Sequence, residues 1–127
     1  MISFDGFTPS GGMPIYQQIL IFIKRGAVAG VIADGDELPS RRVLSALLGI
    51  NPNTVQKAFR LLEDEGLIES RSGAKSYMTL NENKLSALRA DLLRDDIRRI
   101  TGALRQMGIT RDEALALIAE YWEEDKT

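Results

Sequence analysis

Cysteine and histidine are both absent from this 127-residue chain. Their absence excludes disulfides, thiolate nucleophiles and imidazole bases, and it removes the ligands that zinc and most transition metals prefer. A chain without cysteine fits a reducing cytosol, so a cytoplasmic location is expected. No basic flank leads into an apolar segment at the N-terminus, and no apolar run approaches the roughly 20 residues of a membrane span. Neither a signal peptide nor a membrane anchor is therefore read. Also missing are a Gly-rich phosphate loop, a nucleophile–base set and a convergent pair of acids. Asp95 and Asp96 are neighbours in sequence, and on a helix they diverge by about 100°. No catalysis, metal or cofactor is expected.

What is present is an ordinary globular composition, 44% hydrophobic, within the length of a single small domain. The net charge of −2 hides an uneven distribution. From Leu38 to Leu62 every charged residue is basic: Arg41, Arg42, Lys57 and Arg60. Directly after come Glu63, Asp64, Glu65 and Glu69. A local basic face can thus sit on an acidic protein.

The pattern along the chain is mostly helical. Ile2 to Asp5 alternate apolar and polar and read as a short strand. After a Gly/Pro loop, Pro14 opens a helix with Ile15, Ile19, Phe22, Ile23 and Ala27 on one face, and Gly30 stops it. Asp34-Gly35-Asp36 is a turn, and Leu38-Pro39 is extended. Ser40 caps a short helix whose core side is read as Val43, Leu44, Leu47 and Leu48, ended by Gly49. Asn51-Pro52 is an N-cap followed by a first-turn proline. The helix it opens buries Val55, Ala58, Phe59 and Leu62 and ends at Gly66. Leu67 to Ser70 and Lys75 to Leu80 form two short strands about a turn at Arg71-Ser72-Gly73-Ala74. A long helix runs from about Lys84 to Met107 until Gly108 breaks it. Thr110-Arg111-Asp112-Glu113 is a capping box for a last helix. The fold class is α+β, mostly α: a winged helix-turn-helix over residues 1–82, then a two-helix dimerisation tail over residues 83–127.

With its apolar face fixed, the helix from Pro52 points Asn53, Thr54, Gln56, Lys57 and Arg60 outward. Asn and Gln pair bidentately with adenine, Thr reaches a thymine methyl, and Lys and Arg reach guanine or phosphate. No carboxylate interrupts the stretch. These residue types in this order fit a helix that reads the major groove.

The same residues resemble the GntR family of bacterial transcriptional regulators. Pro14-Ile15-Tyr16-Gln17-Gln18-Ile19 looks like that family's first helix. Gly35-Asp36-Glu37-Leu38-Pro39-Ser40-Arg41-Arg42-Val43-Leu44 is similar to its G-D-x-L-P-S-x-R-x-L signature. Asn51-Pro52-Asn53-Thr54-Val55-Gln56-Lys57-Ala58 matches the start of its recognition helix, and Leu62-Glu63-Asp64-Glu65-Gly66-Leu67-Ile68 the run into its wing. The motifs cover Pro14 to Met78. The short tail resembles the YtrA-like branch. The resemblance implies a sequence-specific DNA-binding regulator, a repressor, on a palindromic operator of the GT…AC kind. It has Arg42 contact DNA from the second helix and places Asn51, Asn53, Thr54, Gln56 and Lys57 at the major groove. It places Arg71 and Gly73 in a wing against the minor groove or backbone. Arg41 and Arg60 join this set on charge and facing. The chain departs from the family in two places: Asp34 stands where proline is frequent before Gly-Asp, and Ala74-Lys75 stand where a second wing glycine is usual. Lys75 offers a phosphate contact in compensation.

The apolar stripes of the tail exceed what a small domain covers, which implies a homodimer. Its interface is expected from Leu85, Leu88, Leu92, Ile100, Leu104, Leu115, Ile118 and Trp122. The partners expected are a double-stranded DNA operator and a second copy. An apolar effector between the dimer's helices is compatible with this layout, but no residue names one. The alternative is a winged-helix module that binds protein without DNA, which has no use for a basic, acid-free helix.

Overall fold

The computed structural model describes residues 1–71, 73 and 75–124. Its elements are α1 (Ile15–Val28), β1 (Glu37–Leu38), α2 (Arg41–Leu48), α3 (Pro52–Asp64), β2 (Ile68–Arg71), β3 (Lys75–Met78), α4 (Glu82–Gln106) and α5 (Arg111–Glu124). The three strands form one antiparallel sheet in the order β1-β3-β2. Glu37 pairs with Tyr77, and Ile68 with Met78. Helices α1 and α2 and strand β2 all pack on α3. This is a winged helix-turn-helix with a helical C-terminal part. Two compact units divide the chain, Met1–Arg89 and Ala90–Thr127, so α4 starts in the first and ends in the second. Among the described residues, no helix is long and apolar enough to cross a membrane.

The N-terminal segment is not the expected strand. Its alternation is real, since Ile2 and Phe4 are buried and Ser3 and Asp5 exposed. Only one ladder bond forms, from the Ile2 N–H to the Glu37 carbonyl at 2.8 Å. Aromatic packing replaces the rest: Phe4 stacks on Phe22 of α1 at 5.1 Å, with Phe7 edge-on to both.

The inner face of α2 also differs from the expected one. Val43 and Leu47 are 54% and 64% exposed. The inward positions are Arg41, Leu44, Ser45 and Leu48, of which Leu44 and Ser45 are buried and the other two half-buried. They keep the i, i+3, i+4, i+7 spacing of one helical face, but a serine and an arginine occupy two of the four. Ser45 is inside for a reason. Its Oγ donates to the Ile50 carbonyl at 2.6 Å, and its own carbonyl accepts from the N–H groups of Gly49 and Ile50. Gly49 turns the chain at φ 65°, a conformation that costs a glycine nothing. This serine and glycine set the corner between α2 and α3.

The wing hairpin arises as β2 and β3. It runs one residue later in its first strand than expected and stops at Met78. Ser72 and Ala74 of its turn lie outside the described residues. The root of the hairpin is tied down by charged groups. Asp34 accepts the Leu80 N–H at 2.8 Å, which gives the residue that departs from the family pattern a structural role. Lys84, in the first turns of α4, donates from Nζ to the carbonyls of Gly66 at 2.6 Å and Thr79 at 3.0 Å.

The core is centred on α3, where Val55, Ala58, Phe59 and Leu62 are at most 1% exposed. Truncating the largest of them leaves a cavity the surrounding helices cannot fill. Phe59→Ala is expected to cost about 3–5 kcal/mol, read as a lowered urea midpoint with an unchanged slope.

Candidate nucleic-acid interface

The rotation of α3 about its axis decides what the helix can touch. Its buried residues all lie to one side, and at about 100° per residue Asn53 falls almost opposite their mean direction. Lys57 and Arg60 lie about 30° to either side of that outward pole. Asn53, Gln56, Lys57 and Arg60 are exposed, while Thr54 is half-buried. The first turn has no acidic residue. Its free N–H groups and positive dipole end therefore face solvent beside amide and cationic side chains.

The start of α3 is locally determined. Pro52 occupies the first turn, and the Asn51 side chain accepts the Asn53 N–H at 2.8 Å. Asn51 thus spends its amide oxygen on its own helix and keeps only its NH2 group for a ligand. Ser40 does the same for α2, accepting the Val43 N–H at 3.1 Å.

The flanks of α3 carry two cation–aromatic contacts that the sequence alone does not show. On the α2 side, the Arg41 guanidinium lies 5.3 Å from the Phe59 ring centroid, and its Nε is buried without a hydrogen-bond partner. Arg41 is therefore a half-buried packing residue with only its outer nitrogens available, whereas Arg42 is exposed. On the α1 side, Lys57 Nζ lies 4.1 Å from the Tyr16 ring centroid. Further along that flank Lys24 pairs with Glu65 at 2.9 Å, which neutralises one of the acids that follow the basic stretch. Helical periodicity cannot reveal either aromatic contact, because each joins residues on different helices.

In the wing, Arg71 is held by Glu69 at 2.6 Å and lies 4.3 Å from the Tyr77 ring centroid. Gly73 is exposed at φ 78°, and Lys75 is exposed on the returning strand. Gly73 and Lys75 thus stand at the hairpin tip, and Arg71 is engaged by its own hairpin.

The residues expected at a dimer interface separate into two groups. Leu88 is 9% exposed and belongs to the core of the first unit, and Leu85 packs against the same core. Both are used inside their own winged domain. Leu92 and Leu104 are half-buried, while Ile100, Leu115, Ile118 and Trp122 are exposed. Leu93 and Ile97, which shift the stripe by one position, are exposed as well.

A tri-helical core, a helix with a polar basic face at its N-terminal end and a hairpin wing define a winged-helix DNA-binding protein. Comparison with known proteins narrows the class. A family model described as bacterial regulatory proteins, gntR family, matches residues 15–77. The HTH-type transcriptional repressor YtrA of Bacillus subtilis (strain 168) is 39% identical over 98 residues, which is 72% of this chain and 73% of that protein. A GntR family transcriptional regulator from Listeria monocytogenes has a similar structure, with TM-score 0.76 and 28% identity over 88% of this chain and 98% of its own. The DNA-binding domain of AraR, solved with operator ORX1, aligns with TM-score 0.50 and 25% identity over 61% of this chain and 93% of its own. The chain belongs to the GntR family, in its YtrA-like branch, and is a DNA-binding transcriptional regulator, not an enzyme.

The capping geometry separates folding from recognition in two adjacent asparagines. Asn51→Ala is expected to lower stability by about 1 kcal/mol through the lost N-cap. Asn53→Ala stays within about 0.5 kcal/mol of the parent, as an exposed substitution without a cap should. Thermal melts of the two variants check this.

Proposed function

We propose that this regulator is a repressor that binds a palindromic operator as a homodimer, with α3 in the major groove and the wing on the minor groove or backbone. The observation that carries the reading is the two-sidedness of α3: a fully buried apolar face and, opposite it, Asn53, Gln56, Lys57 and Arg60 in water with no acid among them. Arg42 on α2 adds an exposed cation, and Asn51, Thr54, Gly73 and Lys75 complete the surface. Arg41 and Arg71 contribute through the nitrogens their own packing leaves available. Two relatives support the finer points. YtrA is named a repressor, and the AraR domain was solved on an operator.

Dimerisation through the second unit follows from its unburied apolar surface. No residue of α5 is buried. Ile97, Ile100, Leu115, Ile118 and Trp122 are all at least 44% exposed, a density of apolar groups that marks an interaction surface. A two-fold pair built from residues 83–127 would set two copies of residues 1–82 on one duplex, with half-sites one helical turn (about 34–36 Å) or a multiple apart. Leu92 and Leu104 would contribute at its margin, whereas Leu85 and Leu88 remain with the winged domain.

Selection of bound DNA from random oligonucleotides is expected to return an inverted repeat. On that sequence Asn53→Ala and Arg42→Ala should each weaken binding roughly tenfold or more, as the loss of one good polar contact per half-site does. Unaltered melting curves would confirm that folding is intact. Failure of the parent protein to shift any duplex at moderate salt would refute DNA binding.

The interface is tested separately. Ile100→Glu combined with Leu115→Glu should convert a dimer to a monomer in sedimentation velocity while leaving the winged domain folded. A parent protein that sediments as a monomer at tens of micromolar excludes the dimer.

A further inference from the structure

Lys57 stands among the outward residues of α3, yet the structure sets it apart from them. Its ammonium is drawn toward α1, 4.1 Å from the centre of the Tyr16 ring. Tyr16 itself is half-buried, so packing restricts where its ring can lie. A cation over a tyrosine face in a partly exposed setting is held by about 0.5–1 kcal/mol. That is enough to bias a flexible lysine toward one direction among its rotamers.

When a helix lies in a major groove about 12 Å wide, the base edges lie beneath its outward pole and the phosphate strands rise along its flanks. Asn53 occupies the pole of α3. Lys57 is turned toward the α1 flank and tethered there. Lysine also lacks the planar fork of arginine, and it serves phosphate as a point charge. We infer that Lys57 contacts the DNA backbone and not a base, and that Tyr16 is the positioning residue that aims it. The inference rests on the DNA-binding reading above. Within that reading it divides the recognition helix into a base-reading pole, at Asn53 and its neighbours, and an electrostatic anchor shared with α1.

The test uses the full chain and the operator recovered by selection, titrated by fluorescence anisotropy at several KCl concentrations. Lys57→Met should weaken all sequences by a common factor, roughly tenfold at low salt. It should also reduce the slope of log K against log[salt] by about 0.9 for each half-site occupied. A repeated selection with Lys57→Met should return the parental base preferences. Tyr16→Phe retains the ring and should match the parent, whereas Tyr16→Leu should lose part of the salt slope with base preference intact. Lys57→Arg, which keeps charge and ring contact, should retain the slope and supplies a second probe that does not disturb Tyr16. Altered base preference in Lys57→Met, or an unchanged salt slope, would overturn the backbone assignment. A parental slope in a folded Tyr16→Leu protein would overturn the positioning role. If the parent itself bound no DNA, the underlying reading would fail; if it bound and the variants matched it, only this inference would.

Discussion

Burial of Val55, Ala58, Phe59 and Leu62 in α3 governs the rest of the molecule. Each is at most 1% exposed, and a buried leucine- or phenylalanine-sized side chain contributes about 1.5–3 kcal/mol by leaving water. Turning α3 by one residue position, about 100°, would expose part of this face and bring Gln56 and Glu63, or on the other side Thr54 and Lys57, inward without partners, at a cost of several kcal/mol. The orientation of the polar face is therefore set by the hydrophobic one. Around that fixed axis α1 and α2 lie on opposite flanks, each joined to α3 by a cation over an aromatic ring, Lys57 on Tyr16 and Arg41 on Phe59. The corner between α2 and α3 is closed by Ser45 and Gly49.

The parts of this arrangement that were legible in the sequence are those whose causes are local. Asn51-Pro52 opens α3 because a side-chain cap and a proline act within one turn. The four buried apolar positions of α3 follow one helical period. Thr110 caps α5 through a contact three residues long, its Oγ1 accepting the Glu113 N–H at 3.2 Å. A polar residue at an inward position is invisible to hydrophobic spacing. In α2 the spacing rule held, but Ser45 and Arg41 carry half of the inner face, so hydrophobicity assigned Val43 and Leu47 to it instead. The N-terminal strand failed for a related reason. Alternation correctly marked Ile2 and Phe4 as inward, but strand character needs a partner edge. β1 is only two residues long, so a single ladder bond is available.

Within the site, exposure and charge could be anticipated, but engagement could not. Arg71, Arg41 and Asn51 are as polar as Arg42, Arg60 and Asn53, yet the first three are occupied by Glu69, Phe59 and a helix N-terminus. A one-dimensional pattern cannot tell an available arginine from an engaged one. The same holds for leucines in the tail. Leu85 and Leu88 continue the stripe of Leu92 without a break in spacing, but the first two fall where α4 still lies on the winged domain.

On the proposed reading, an acidic chain that meets a polyanion through α3 must keep its carboxylates away from that face, and here they are segregated along the helix. The acids that follow α3's basic stretch begin at Glu63, about two turns beyond Gln56 and nearly three beyond Asn53. Glu65, on the α1 side, is paired with Lys24 at 2.9 Å. Glu69, on the wing, is paired with Arg71. These are exposed or half-exposed pairs that add little to stability, on the order of 0–1 kcal/mol each. Their value lies elsewhere: unpaired, each carboxylate would project negative potential within about a Debye length, ~8 Å at physiological ionic strength, and oppose the approach of phosphate. The formal charge of −2 thus says little about the surface a duplex would meet. On the proposed reading that surface is set by which end of α3 carries the amides and cations, and the apolar face fixes the direction in which that end points.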